Sequence, residues 1–148
     1  MSITNEQVSA IARVFLRMAL GVSFLVSAGD RFGLLGAYGS KNVSWGDWSH
    51  FVQFVAVLNW FVPKVLISVI AWVETVIEVG LGLALLAGIY PRIVAWSSAL
   101  LLLLFALTMT VALGITAPIS YSVFTTAAGA LLLGTVAVGA HSAPETAV

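Results

Sequence analysis

The chain has 148 residues, 61% hydrophobic and 8% charged, with a mean hydropathy of +1.10, whereas an ordinary soluble domain carries about 25% charged residues. Its formal net charge is zero, so no basic surface invites nucleic acid. It has no cysteine, which excludes thiol, disulfide and thiolate-metal chemistry from this chain. The length suits one membrane domain, 1–148, and the lipid solvent together with the apolar runs makes the expected fold an all-α membrane bundle of four antiparallel transmembrane helices.

The first expected span covers about residues 8–29 and carries Arg13 and Arg17. A cleaved signal peptide is its rival reading, with Val26-Ser27-Ala28 resembling a cleavage site; the basic region is too long for that, which favours a retained span. Asp30 and Arg31 end the span, where a local interfacial pair is expected.

The next connection is unlike the others. A glycine-rich loop over 33–40 leads into a short amphipathic helix at about 45–62. Ser44 is the candidate N-cap, Trp45, Trp48, Phe51, Val52 and Val55 recur at helical spacing, and Pro63 stops the pattern. Trp45, Trp48 and Trp60 suit a lipid–water boundary, so this segment is either an interfacial anchor or a lid over a cavity between the spans.

The second span, about 63–88, holds Glu74 and Glu78. An ionisable group at that depth costs at least ~2.5 kcal/mol, so something must neutralise, pair or use these carboxylates. Four residues apart, they share one helical face. From Ile93 to Ala140 no residue is charged; as one helix that run would be ~70 Å long, about twice a hydrocarbon core. It must fold back, and Gly114-Ile-Thr-Ala-Pro118 is the break, giving a third span at about 93–113 and a fourth at about 119–139.

Depth matching on antiparallel helices sets Arg17 opposite Glu78, an expected buried ion pair. Glu74 lies one turn deeper with no cation at its level. It is the candidate proton carrier or ligand contact, with Tyr121 able to join it if that ring faces inward; a duller role is a bond to Thr108, Thr125 or a backbone carbonyl. His50 and His141 fall on opposite sides of the membrane, so they cannot share one haem, and no metal or other cofactor site is visible.

The order of these features resembles the DoxX family of small four-helix membrane proteins. Arg17-x-x-x-Gly21, Gly29-Asp30-Arg31, Pro63, the run Glu78-Val-Gly80-Leu-Gly82 through Gly88, Arg92 and Tyr121-Ser-Val-Phe124 carry the likeness. The resemblance implies an accessory or anchoring subunit of a larger oxidoreductase complex, with quinone as a candidate contact and protein partners in the membrane. It also implies a bacterial inner-membrane location with cytoplasmic termini, which the charges leave undecided because Arg13, Arg17 and Arg92 on one side balance Arg31, Lys41 and Lys64 on the other. The residues keep two other functions open: a binding or transport module for a small hydrophobic molecule, with Glu74 in its cavity, and a stand-alone membrane enzyme using Glu74 or Glu78 as acid or base.

Overall fold

Thr4 opens the first helix with a reciprocal cap, its hydroxyl accepting from the Gln7 amide at 3.3 Å while the Gln7 side chain accepts from the Thr4 amide at 3.0 Å. The computed structural model describes residues 4–136. Within them the chain forms α1 (Asn5–Arg31), α2 (Trp48–Leu58), α3 (Lys64–Ala87), α4 (Pro91–Leu113), α5 (Thr116–Ser120) and α6 (Val123–Val136), and no strand. Three of these, α1, α3 and α4, are long and apolar enough to cross a membrane. At 27, 24 and 23 residues they measure ~35–40 Å, against ~30 Å of hydrocarbon.

The helix ends follow local chemistry. Pro63 precedes α3, Gly88 closes it in the left-handed conformation (φ 72°), and Pro91 occupies the first position of α4. Gly114 (φ 86°) ends α4 where the break is expected. The expected fourth span, starting near residue 119, is not one helix. Pro118 sits in the single turn α5, Ser122 turns the chain at φ 56°, and α6 starts only at Val123. The 14 described residues of α6 are shorter than the three long helices, and residues 137–139 of that expected span lie outside the described residues, as does His141.

The interfacial helix is also shorter than expected, 48–58 rather than 45–62, and its N-cap is Asp47, not Ser44. Gly46 (φ 66°) breaks any helix beginning earlier; a Cβ there would come within 2.7 Å of the Ala37 backbone.

Packing pairs α1 with α3 and α4 with α6, while α2 rests on α3 and α4. Gly21 and Gly82 set the α1–α3 crossing, since a Cβ on either would lie 3.0–3.1 Å from the carbonyl oxygen of the other. The partners of α1 residues run backwards along α3, from Gly88 beside Arg17 to Thr75 beside Arg31, so the two helices are antiparallel. Leu20, Phe24, Leu85, Ala95, Ala99 and Ala130 form the main core, and Phe51, Val55, Ile67 and Ala71 form a second one beneath α2. Side chains such as Phe15 and Val22 on α1, Val73 and Val76 on α3, and Leu104 and Leu107 on α4 point outward and remain exposed. Apolar faces this extensive on several sides suit a lipid solvent.

Candidate functional site

The last turn of α1 places two adjacent charges on opposite tasks. Asp30 and Arg31 are both buried, at 4% and 1% exposure. The Asp30 carboxylate accepts the amides of Ser44 (2.8 Å), Trp45 (3.1 Å) and Gly46 (3.2 Å), which ties the segment entering α2 to the end of α1. Arg31 turns inward. Its Nη2 donates to Glu78 Oε2 at 2.5 Å and lies 3.6 Å from Glu74 Oε1, outside hydrogen-bond range. Nη1 donates to Thr75 Oγ1 at 2.6 Å, and that hydroxyl donates on to the Ala71 carbonyl at 2.8 Å. Ser27 Oγ accepts a longer bond from Nη2 at 3.4 Å. The guanidinium carbon lies 3.9 Å above the Phe51 ring and 5.4 Å from that of Trp45.

The expected Arg17–Glu78 pair is therefore corrected: Glu78 is held by Arg31. The Gly21–Gly82 crossing slides α1 along α3, so Arg17 reaches the far end of α3, its guanidinium packed against Gly88. The expected surface pair of Asp30 and Arg31 is corrected with it, because Asp30 is occupied by loop amides and Arg31 by α3. Nor does Glu74 bond Thr108, whose hydroxyl is turned to the carbonyls of Leu104 and Phe105 on its own helix. Thr75 and Ser27 are the hydroxyls of the cluster, and only their positions near the buried charges on α3 and α1 signalled them.

A cavity of about 690 Å³ opens from this cluster. Arg31, Glu74 and Glu78 form its charged end, Leu20, Phe24, Leu102 and Phe105 line its apolar walls, and Trp45, Phe51 and Phe54 come from the covering segment. Tyr121, 71% exposed, borders the same space. Trp45 packs on Phe51 and Phe54 of α2 at 5.2 and 5.9 Å, whereas Trp48 stands 4.3 Å from Trp72 and 5.6 Å from Phe32 and so fastens α2 to α3 and to the end of α1. Trp60 lies apart, exposed and edge-on to Phe61.

His50 also borders the cavity. Its amide and ring Nδ1 meet the two Asp47 oxygens at 3.0 and 2.7 Å, and Tyr38 stacks on its ring at 3.7 Å. The backbone bond from His50, then the ring bond, hold the Asp47 carboxyl below its ordinary value of 3.8. Among the described residues, no group of three or more histidine, cysteine or acidic side chains could hold a metal ion. The arrangement can seat a molecule with an apolar body and a polar end, or pass a proton along the Glu74–Glu78 face.

Comparison with known proteins overturns the DoxX resemblance. The matching family model is described as methylamine utilisation protein MauE and covers residues 8–122, a stretch containing Arg31, Glu74 and Glu78. No curated protein and no solved structure gives a match. The glycines and leucines behind the earlier likeness report close helix approach, as at Gly21 and Gly82, which many membrane bundles share.

Proposed function

The chain belongs to the MauE family, and from that premise we propose that it is an integral membrane accessory protein of a methylamine-utilisation system, holding a small, mostly apolar molecule inside its bundle. The cavity carries this reading. Pockets of ~300–1,000 Å³ with apolar walls and a few convergent polar groups are the usual form of small-molecule sites, and this one measures about 690 Å³ with Arg31, Glu74 and Glu78 at one end. The α2 segment, tied down by Asp30 and the Trp48–Trp72 contact, acts as its lid rather than as an anchor alone.

In this reading α6 completes a fourth crossing, and both termini face the cytoplasm across a bacterial inner membrane. The absence of cysteine allows a direct test of topology. Single cysteines at Ser2 and Gly39 should react with an impermeant maleimide from opposite sides, and labelling of both from one side breaks the scheme. The binding role is tested by purifying the protein in lipid discs and extracting small molecules from it. Leu102→Trp, which fills the cavity wall, should lose a co-purifying molecule that the unaltered protein retains; equal recovery from both rejects the cavity as the site.

A second reading makes the chain a subunit of a larger, quinone-linked complex. The family description names a utilisation system and neither a quinone nor a complex, so this reading rests on the cavity's aromatic lining. A quinone ring would fit between the aromatic walls, and a stable protein partner recovered with the chain from its native membrane would favour this reading.

A further inference from the structure

The charged end of the cavity is incomplete in a way that points to its occupant. Two carboxylates, Glu74 and Glu78, share one guanidinium. Arg31 divides itself unequally, at 2.5 Å from Glu78 and 3.6 Å from Glu74, and its other bonds go to Thr75 and Ser27. Among the described residues, the remaining ionisable side chains that border the cavity are Tyr38, His50 and Tyr121, and the ring of His50 is already engaged by Asp47. One negative charge is therefore left over where charge is expensive, and it has to be met by a proton or by a positive group brought in from outside.

A second observation comes from Arg31. This residue is 1% exposed and borders the cavity, yet its Nε finds no acceptor among the described residues. Buried N–H groups are nearly always partnered, so the cluster lacks both a cation and an acceptor. The wall beside it already shows how a cation sits here, with the Arg31 guanidinium over Phe51 and near Trp45. Phe54, Phe105 and Tyr121 border the cavity as further aromatic faces.

We propose that the cavity binds an organic ammonium, a primary or secondary amine with an apolar body, whose positive head rests against Glu74 while the body lies between the aromatic walls. The inference rests on the binding reading above and names the chemical class. A one-carbon amine is far smaller than a space of about 690 Å³, so the amine carries a substantial apolar body. A hydroxyl or carbonyl oxygen further along the body, separated from the nitrogen by at least two carbons, would give the Arg31 Nε its missing acceptor.

The test compares two molecules of nearly the same shape, phenethylamine and 2-phenylethanol, which differ in charge at neutral pH. Both are titrated into the full chain in lipid discs, followed by calorimetry, with decylubiquinone as a neutral competitor. The expected result is a preference for the amine of about tenfold or more, the scale of one well-placed charge contact in a poorly hydrated site. Glu74→Gln, which keeps the shape and loses the charge, should abolish that preference while alcohol binding persists. Glu74→Asp should keep the preference, and it decides the matter with the unaltered protein if Glu74→Gln fails to fold. Equal affinity for amine and alcohol, or a Glu74→Gln protein that still prefers the amine, overturns the ammonium class and leaves the cavity standing. Binding by decylubiquinone alone overturns it too and favours the quinone reading. If none of the three binds, the cavity reading falls with it.

Discussion

Arg17 and Arg31 lie on the same helix and meet opposite surroundings. Arg17 is half-buried against Gly88, at the tight turn between α3 and α4, and among the described residues no carboxylate pairs with it. Arg31 is 1% exposed, bonded to Glu78 and Thr75, and covered by a segment that Asp30 holds in place. Arg17 lies in the middle of α1 and Arg31 in its last turn, yet it is the residue at the helix end that is the more deeply buried. The difference comes from what the chain does next. After Arg17 the helix continues through its apolar stretch, whereas after Arg31 the chain turns back and lays Trp45 and Phe51 over the guanidinium. A charge becomes part of the interior where the topology supplies both a counter-charge and a cover.

The largest expected effect tests that difference directly. Arg31→Leu strands two carboxylates and should destabilise the protein by ~3–5 kcal/mol, the usual cost of breaking one side of a buried pair. Combining it with Glu78→Leu should recover part of the loss. Arg17→Leu should cost less than Arg31→Leu, because among the described residues its removal strands no carboxylate. Thermal unfolding in lipid discs measures all three variants. An Arg17→Leu protein as unstable as Arg31→Leu would erase the contrast between the two ends.

Next in size is the crossing that creates the contrast. Gly82→Leu forces a side chain into the Gly21 carbonyl, where a Cβ alone would already stand 3.1 Å away. Overpacking of this kind costs ~1–3 kcal/mol and should slide α1 against α3. A cysteine pair at Arg17 and Gly88 should cross-link with a short reagent in the otherwise unaltered protein and fail to do so with Gly82→Leu. Retained cross-linking would show that the register is fixed elsewhere.

Much of this fold is legible in the residues. Gly114 and Pro118 had to break an uncharged run too long for one crossing, and α4 does end at Leu113. Pro63 and Gly88 bound α3, and the tryptophan-rich segment reads as amphipathic before its contacts are known. Glu74 stands out because lipid makes any carboxylate conspicuous. The partner of Glu78 was not legible. Depth counted from the start of each span assumes a register, and the actual register is set by two glycines whose close approach leaves no mark in a hydropathy profile. Arg31 was hidden for a related reason: at a helix end it looks interfacial, and only the folded lid makes it interior. The family was misread on the same kind of signal, because small residues at helix contacts say how closely two backbones pack and little about which chemistry the bundle serves.

Asp30 supplies a prediction of intermediate size at the Arg31 end. Asp30→Ala leaves the amides of Ser44, Trp45 and Gly46 without their acceptor, and a lost buried partner costs ~1–3 kcal/mol. Amide exchange over 33–46 should accelerate while that of α4 and α6 stays as it was. Uniform acceleration along the whole chain would mean that the lid and the bundle unfold as one unit.

The smallest expected effect lies at the outer edge of the lid, at Asp47. Its carboxyl is held below the ordinary value of 3.8 by the His50 amide and ring. A depressed value in the folded state means that the unfolded chain takes up the proton first. The cap therefore contributes in full above pH 3.8 and is lost as the pH falls through the lower folded value. Amide exchange at His50 reads this locally, with each pH point referred to Asp47→Asn. Asparagine caps a helix about as well as aspartate but does not titrate, so its protection should stay flat while that of the unaltered protein declines below pH 3.8. Because Asp47 is solvated, the change should be confined to the first turn of α2 and leave exchange near Arg31 untouched. Coincident profiles for the two proteins would show that Tyr38 stacking on His50, and not the Asp47 charge, holds this corner of the lid.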